Sequence, residues 1–274
     1  MKRSHLVLGS FCVALAIADI TLALTLPSPA PISAQSTPEF DGFDYSWIDL
    51  NPYIAHAGGG ILGYTYTNSY EALLSNYQLG HRLFEFDFSL SSDGKVVATH
   101  DFTTTSADTF NSTLVEDKFH PISLNQLFDF LYHHPDVYIV TDTKYTDEPS
   151  TRSLLGQLCS AAEDLLDRTV LDRFIIQIYH PDMLPWVMDI YPWKSIIYTL
   201  YANPEWTPEN VAAFAKESGV KYITLFYATA SDEALKLWQS ADLYVGVHTV
   251  NDLKTAKEAF SRGVSNIYTD YLLP

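Results

Sequence analysis

The chain has 274 residues, 33 acidic against 16 basic side chains, a formal charge of −17 and 47% hydrophobic residues. That length allows one large α/β domain or two small ones, and the hydrophobic fraction is that of a core-forming protein. The acidic excess argues against nucleic acid as a partner, because phosphate contacts need clustered Lys and Arg, and it disfavours adsorption to an anionic membrane surface.

Residues 1–26 have the pattern of an export signal: Lys2 and Arg3, then a mostly apolar run from Leu6 to Leu26 interrupted by Asp19. Residues 27–50 follow as a linker rich in Pro, Ser and Ala and then an acidic, aromatic lead-in, with a cleavage point near Ala34. The chain is therefore expected to be exported, whether periplasmic, extracellular or in the secretory pathway. If the segment stays uncleaved, it is a membrane anchor and the one route to membrane association. Cleavage removes Cys12 and leaves Cys159 alone, so no internal disulfide can form. Cys159 falls in a helical pattern, as a small buried apolar residue would.

The folded part, residues 51–274, opens with a short apolar strand from Tyr53 that ends at His56-Ala57-Gly58-Gly59-Gly60. Three glycines there permit a sharp turn and close approach of backbone to a ligand. Apolar residues at helical spacing predict a helix over 68–79, with Asn68 or Ser69 as its N-cap and Gly80 as its stop.

The stretch Arg82–Asp101 carries the densest chemistry. Leu83–Leu90 reads as a buried strand, and its period of two puts Glu85 and Asp87 on one face. Phe84, Phe86 and Phe88 fall on the other, which predicts helices over that face and an interior position for the two acids. Burying two adjacent carboxylates costs several kcal/mol unless a positive charge lies between them. All-oxygen ligation suits Mg²⁺ or Ca²⁺ better than Zn²⁺. Asp93-Gly94 then supplies a tight turn, and a second short strand, Lys95–Thr99, delivers His100 and Asp101.

Strand and helix alternate from there. Strands are expected over 137–144, 174–179, 195–201, 222–227, 243–250 and 266–270. Helices are expected over 123–132, 151–166, up to Met188, 208–218, 232–239 and 252–262. Eight strands that precede helices, in about 225 residues, fit a single-domain (β/α)₈ TIM barrel. A doubly wound open sheet would want Gly-x-Gly-x-x-Gly opening a helix at the first strand, which Gly58–Gly60 does not do. A barrel places functional groups at the C-terminal strand ends. His56, Glu85, Asp87, Asp142, Lys144, Gln177, His180, His248 and Asp270 all fall there, with Tyr179 among nearby tyrosines.

In order, His56, Asn68, Gly80, Glu85-x-Asp87, Asp93-Gly94, His100-Asp101, Asp142-x-Lys144, Thr249-Val250-Asn251 and Gly263-Val264…Thr269-Asp270 resemble the glycerophosphodiester phosphodiesterase family, a PLC-like phosphodiesterase barrel. The family is similar to bacterial phosphatidylinositol phospholipase C and to spider-venom phospholipase D. The resemblance implies a metal-dependent phosphoric diester hydrolase acting on glycerophosphodiesters or lysophospholipids. It implies Glu85, Asp87 and Asp142 as ligands of Mg²⁺ or Ca²⁺, His56 and His100 as base and acid, and Lys144 steadying the phosphoryl oxygens. Gly58, Gly59, Tyr179 and His248 are the further expected substrate contacts. Two departures stand out. Ala57 replaces the usual arginine after the first histidine, and Asp142 replaces a common Glu, as in the venom enzymes. Two other readings are a phospholipase D-like phosphotransferase that releases cyclic phosphate, and a non-catalytic exported barrel that binds an envelope ligand. Oligomeric state is not legible.

Overall fold

The computed structural model describes residues 40–274. The expected export signal lies outside the described residues. Among those described, no helix is long and apolar enough to cross a membrane.

Nine strands form the sheet: β1 Tyr53–Ala55, β2 Leu83–Leu90, β3 Val96–Ala98, β4 Tyr138–Asp142, β5 Phe174–Ile178, β6 Ser195–Thr199, β7 Tyr222–Phe226, β8 Tyr244–His248 and β9 Asn266–Thr269. Eight of them are parallel and run in the order β1, β2, β4 to β9, with β1 paired to both β2 and β9 so that the barrel closes. This is a (β/α)₈ barrel. β3 is the exception: it folds back antiparallel on the end of β2, with Phe88 opposite Ala98. That hairpin carries His100 to the C-terminal mouth.

The helices are α1 Tyr70–Gln78, α2 Ala107–Ser112, α3 Leu124–His133, α4 Glu148–Asp164, α5 Met183–Ile190, α6 Pro208–Ser218, α7 Asp232–Ser240 and α8 Leu253–Ser261. Side-chain caps start seven of them: Ser69, Ser106, Ser123, Asp147, Thr207, Ser231 and Asp252 each accept from a backbone N–H in the first turn.

The pleat of β2 sets where the chemistry goes. Phe84, Phe86 and Phe88 point outward under the helices and are at most 2% exposed. Each contributes about 2–3 kcal/mol by burial, so a one-residue slip would turn three rings into the barrel and is strongly disfavoured. Leu83, Glu85 and Asp87 therefore point inward. Leu83 joins Ile54, Val140, Ile175, Ile197, Tyr222 and Tyr268 in an apolar layer at the bottom of the barrel. Trp47, on a short turn of 3₁₀ helix at Ser46–Leu50, plugs that layer from below, its ring centroid 4.9 Å from that of Tyr222. Glu85 and Asp87 lie above it, buried but facing the mouth.

Candidate active site

The strand ends bring the predicted carboxylates together. Glu85, Asp87 and Asp142 each offer an oxygen within 4.8 Å of the others, and Asp87 and Asp142 are direct neighbours in the β2–β4 register. The chain holds each one from behind. Glu85 Oε2 accepts from the Ala57 N–H at 2.7 Å. Asn68 grips Asp87 twice: its Nδ2 donates to Oδ2 at 2.9 Å, and its Oδ1 accepts the Asp87 N–H at 3.0 Å. Asp142 Oδ1 accepts from the Tyr179 hydroxyl and from the Tyr201 hydroxyl at 2.8 Å.

Lys144 is the counter-charge. Its Nζ lies 2.5 Å from Asp87 Oδ1 and 3.6 Å from Asp142 Oδ2, and it donates to the His100 carbonyl at 3.3 Å. Burial works against its charge, but Asp142 and Asp87 outweigh burial and raise the ammonium's pKa. Glu85 has no such partner. Burial first, and then the field of Asp87, push its carboxyl well above the usual carboxylate range. Its Oε1 is buried with no hydrogen-bond partner. A cluster of three acids with an orphaned buried oxygen and a single ammonium is short of positive charge. The oxygen-only donor set fits a hard divalent cation.

His56 stands across the mouth with its Nδ1 2.9 Å from Asp270 Oδ1. Asp270 is itself fixed by Asn251, whose Nδ2 donates to Oδ2 and whose Oδ1 accepts the Asp270 N–H, both at 2.7 Å. Burial alone would lower the His56 pKa. The Asp270 hydrogen bond and the fields of Glu85, Asp270 and Asp87 more than reverse that, raising it to about 9. Tying down Nδ1 leaves Nε2 for a substrate. His100, more exposed, bonds Asp101 through its Nδ1 at 3.0 Å. The Tyr66 ring sits edge-on to both imidazoles, with centroids 4.7 Å from His56 and 4.9 Å from His100. Both histidines thus share one mouth with the acids.

Three expected substrate contacts are placed differently. The Gly59 N–H donates to the His56 carbonyl at 2.8 Å, and the Gly58 carbonyl accepts from Asn76 at 3.1 Å, where any side chain on Gly58 would meet the Phe86 ring. The turn shapes the loop under His56, and the engaged Gly59 amide is not offered to a phosphate. Tyr179 is fully buried. Its hydroxyl donates to Asp142 and accepts the Thr143 and Lys144 N–H groups at 2.8 and 2.7 Å, so it positions a carboxylate instead of meeting substrate. His248 does reach the mouth, packed among Tyr201, Phe226 and Tyr268. Burial lowers its pKa to about 3, and its shielded Nε2 has no partner.

The sequence model of the Glycerophosphoryl diester phosphodiesterase family matches residues 59–273. The chain belongs to this family. It is therefore an enzyme of the glycerophosphodiester phosphodiesterase type. No curated protein sequence matches it. Solved structures of similar fold include a glycerophosphodiester phosphodiesterase from Parabacteroides distasonis (19% identity, TM-score 0.66, covering 80% of this chain and 92% of that one). Another is an Oleispira antarctica phosphodiesterase in complex with the product sn-glycerol-3-phosphate (16%, 0.65, 81% and 94%). A third is a glycerophosphodiester phosphodiesterase from Agrobacterium tumefaciens (16%, 0.60, 81% and 95%). The match to the family begins three residues after His56. The Ala57 departure therefore lies just outside it, while Glu85, Asp87, His100, Asp142, Lys144 and Asp270 lie within it.

Proposed function

We propose that this phosphodiesterase cleaves glycerophosphodiesters with a divalent cation, Mg²⁺ or Ca²⁺, held by Glu85, Asp87 and Asp142, and that His56 and His100 move the protons. The observation that carries the proposal is the convergence of the three acids with an Asp270-oriented His56 at one barrel mouth. When bound, the cation would neutralise charge on the phosphoryl oxygens.

The chain's own groups account for the rest. His56 Nε2 takes the proton from the glycerol hydroxyl next to the phosphoester as that oxygen bonds to phosphorus. His100 gives a proton to the departing oxygen as its P–O bond breaks, so a neutral alcohol leaves and a cyclic phosphate remains. In the second half His100 takes a proton from water, the water oxygen opens the ring, and His56 returns its proton to the glycerol oxygen. Water and one diester thereby give one alcohol and one phosphomonoester. Lys144, fixed by Asp87, supports the phosphoryl oxygens as a point charge. An sn-glycerol-3-phosphate product, as in the Oleispira complex, is what this sequence of steps would yield from a glycerophosphodiester.

The test is hydrolysis of glycerophosphodiesters and lysophospholipids by the full chain with Mg²⁺ or Ca²⁺, followed by phosphorus NMR. Activity should vanish with a chelator and fall at least ~10²-fold in His56→Ala and in His100→Ala. Cyclic phosphate that accumulates without opening would move the enzyme to the phosphotransferase reading. No turnover of any diester, or equal rates in wild type and His56→Ala, would end the proposal.

A further inference from the structure

A cavity of about 340 Å³ lies between the β3 hairpin and the segment carrying α2, with Thr99, the residue before His100, in its wall. It is within the size range of small-molecule sites. Its walls include Tyr66, Phe110, Leu114 and Val115, together with Thr99 and Thr113, and the other lining residues are threonine and alanine. Among the described residues, none that lines it is charged. That contrasts with the acid-rich centre next door and with a chain of net charge −17. Two residues link the cavity to the centre. Tyr66, whose ring meets both imidazoles, is also part of its wall, and Thr99 immediately precedes His100.

We infer that this cavity receives the alcohol half of the diester, and that the preferred leaving alcohol is uncharged with a short alkyl body. The inference rests on the assignment of His100 as the acid. A general acid must lie within hydrogen-bond reach of the oxygen it protonates, so the departing alcohol sits on the His100 side of Tyr66. Whatever that oxygen carries then extends toward the cavity. A cationic head group such as choline or ethanolamine would lose hydration there without a carboxylate to meet it. An alkyl body would bury against Phe110, Leu114 and Val115. The threonines suit it too, since each presents a methyl group and a hydroxyl that can bond locally.

The experiment is a kcat/KM series with the full chain on glycerophosphoethanol, glycerophosphopropanol, glycerophosphobutanol and glycerophosphocholine, with Mg²⁺ supplied. The expected gain is roughly fourfold per added methylene from ethyl to butyl, from the usual cost of leaving a methylene in water. The choline ester should fall at least about tenfold below the butyl ester. Leu114→Glu places a charge in the wall at a position already 39% exposed, and should flatten the slope. The wild-type series decides without that variant should it fold poorly. A flat series, or choline preferred over butyl, overturns the inference while leaving the phosphodiesterase reading intact. No turnover of any member sinks both.

Discussion

Asp270→Asn is the sharpest test of the His56 assignment. The change keeps shape and removes one charge. In the wild type the imidazole pKa is raised from 6.5 to about 9 against the pull of burial. That difference is about 3 kcal/mol in favour of the imidazolium. Asp270 supplies the hydrogen bond and part of the field, while Glu85 and Asp87 supply the remainder. A charge-assisted hydrogen bond at 2.9 Å carries about 2 kcal/mol of it. The base must be neutral to accept a proton, so its pKa sets the acid limb of kcat/KM. With a cation offsetting Glu85 and Asp87 the wild-type limb lies below 9, and in Asp270→Asn it should move down by a further one to two pH units (roughly, from 1.4 kcal/mol per unit). At the plateau kcat/KM should still drop ~10²- to 10³-fold, because Nδ1–H loses the acceptor that fixes its tautomer. For stability, a raised histidine pKa contributes fully below 6.5, and the contribution is lost as pH rises through about 9. Thermal unfolding should thus show a larger loss for Asp270→Asn at pH 6 than at pH 10. An unchanged acid limb, with activity within about threefold of wild type, would refute the dyad.

Lys144→Met removes the ammonium between Asp87 and Asp142. Cation-free protein should lose about 3 kcal/mol, since a buried carboxylate is left uncompensated. Added Mg²⁺ should recover more Tm in the variant than in wild type, while kcat/KM stays ~10²-fold down because the cation does not replace the phosphoryl contact. Equal cation responses in the two proteins would count against Lys144 as the counter-charge. Tyr201→Phe leaves Asp142 with the Tyr179 hydroxyl alone. Calorimetry should show cation affinity reduced ~10- to 100-fold, with kcat restored at saturating cation. Activity that saturating cation does not restore would make Tyr201 a substrate contact.

The barrel was legible because local periodicity encodes it. Each of the eight expected parallel strands forms, and most end one or two residues early, where side chains leave the ladder for the mouth. β2 was read to the residue, because three phenylalanines on one face leave no second register. Helix α4 starts at Glu148, ahead of the apolar pattern at 151, since the Asp147 cap and Pro149 in the first turn begin it with polar residues. The short helix α2 was not legible: of its six residues only Ala107 is buried, so it has no apolar stripe to read. Within the site, residues at strand ends were found by position, Asp270 among them, whereas their pairings were not: Asp270 bonds His56 from 214 residues away, and Tyr201, not singled out in the sequence, bonds Asp142 from 59 away. Asn68 looked like a helix cap because Asn suits that place. Its actual bond is to Asp87, 19 residues on, from a backbone at φ +46°, which Asn tolerates better than most side chains. Ser69 does the capping instead.

Ala57 has a physical reading that a departure from a family pattern does not by itself supply. Its backbone is in the left-handed region at φ +49°, and its N–H is thereby aimed at Glu85. The position thus contributes an amide dipole to the acid cluster but no side-chain charge. Four carboxylates, from Glu85, Asp87, Asp142 and Asp270, face one ammonium and one imidazolium, which leaves two negative charges at the mouth when all are ionised. A diester brings a third beside acids that are largely buried, where charge is screened less than in bulk water. An arginine at position 57 would offset one of these and could grip the phosphate in bidentate fashion. Without it, Lys144, the His56 imidazolium and the proposed divalent ion would have to oppose the charge of substrate and protein together. Under the proposed function, the cation would serve the entry of substrate as well as the breaking of the bond.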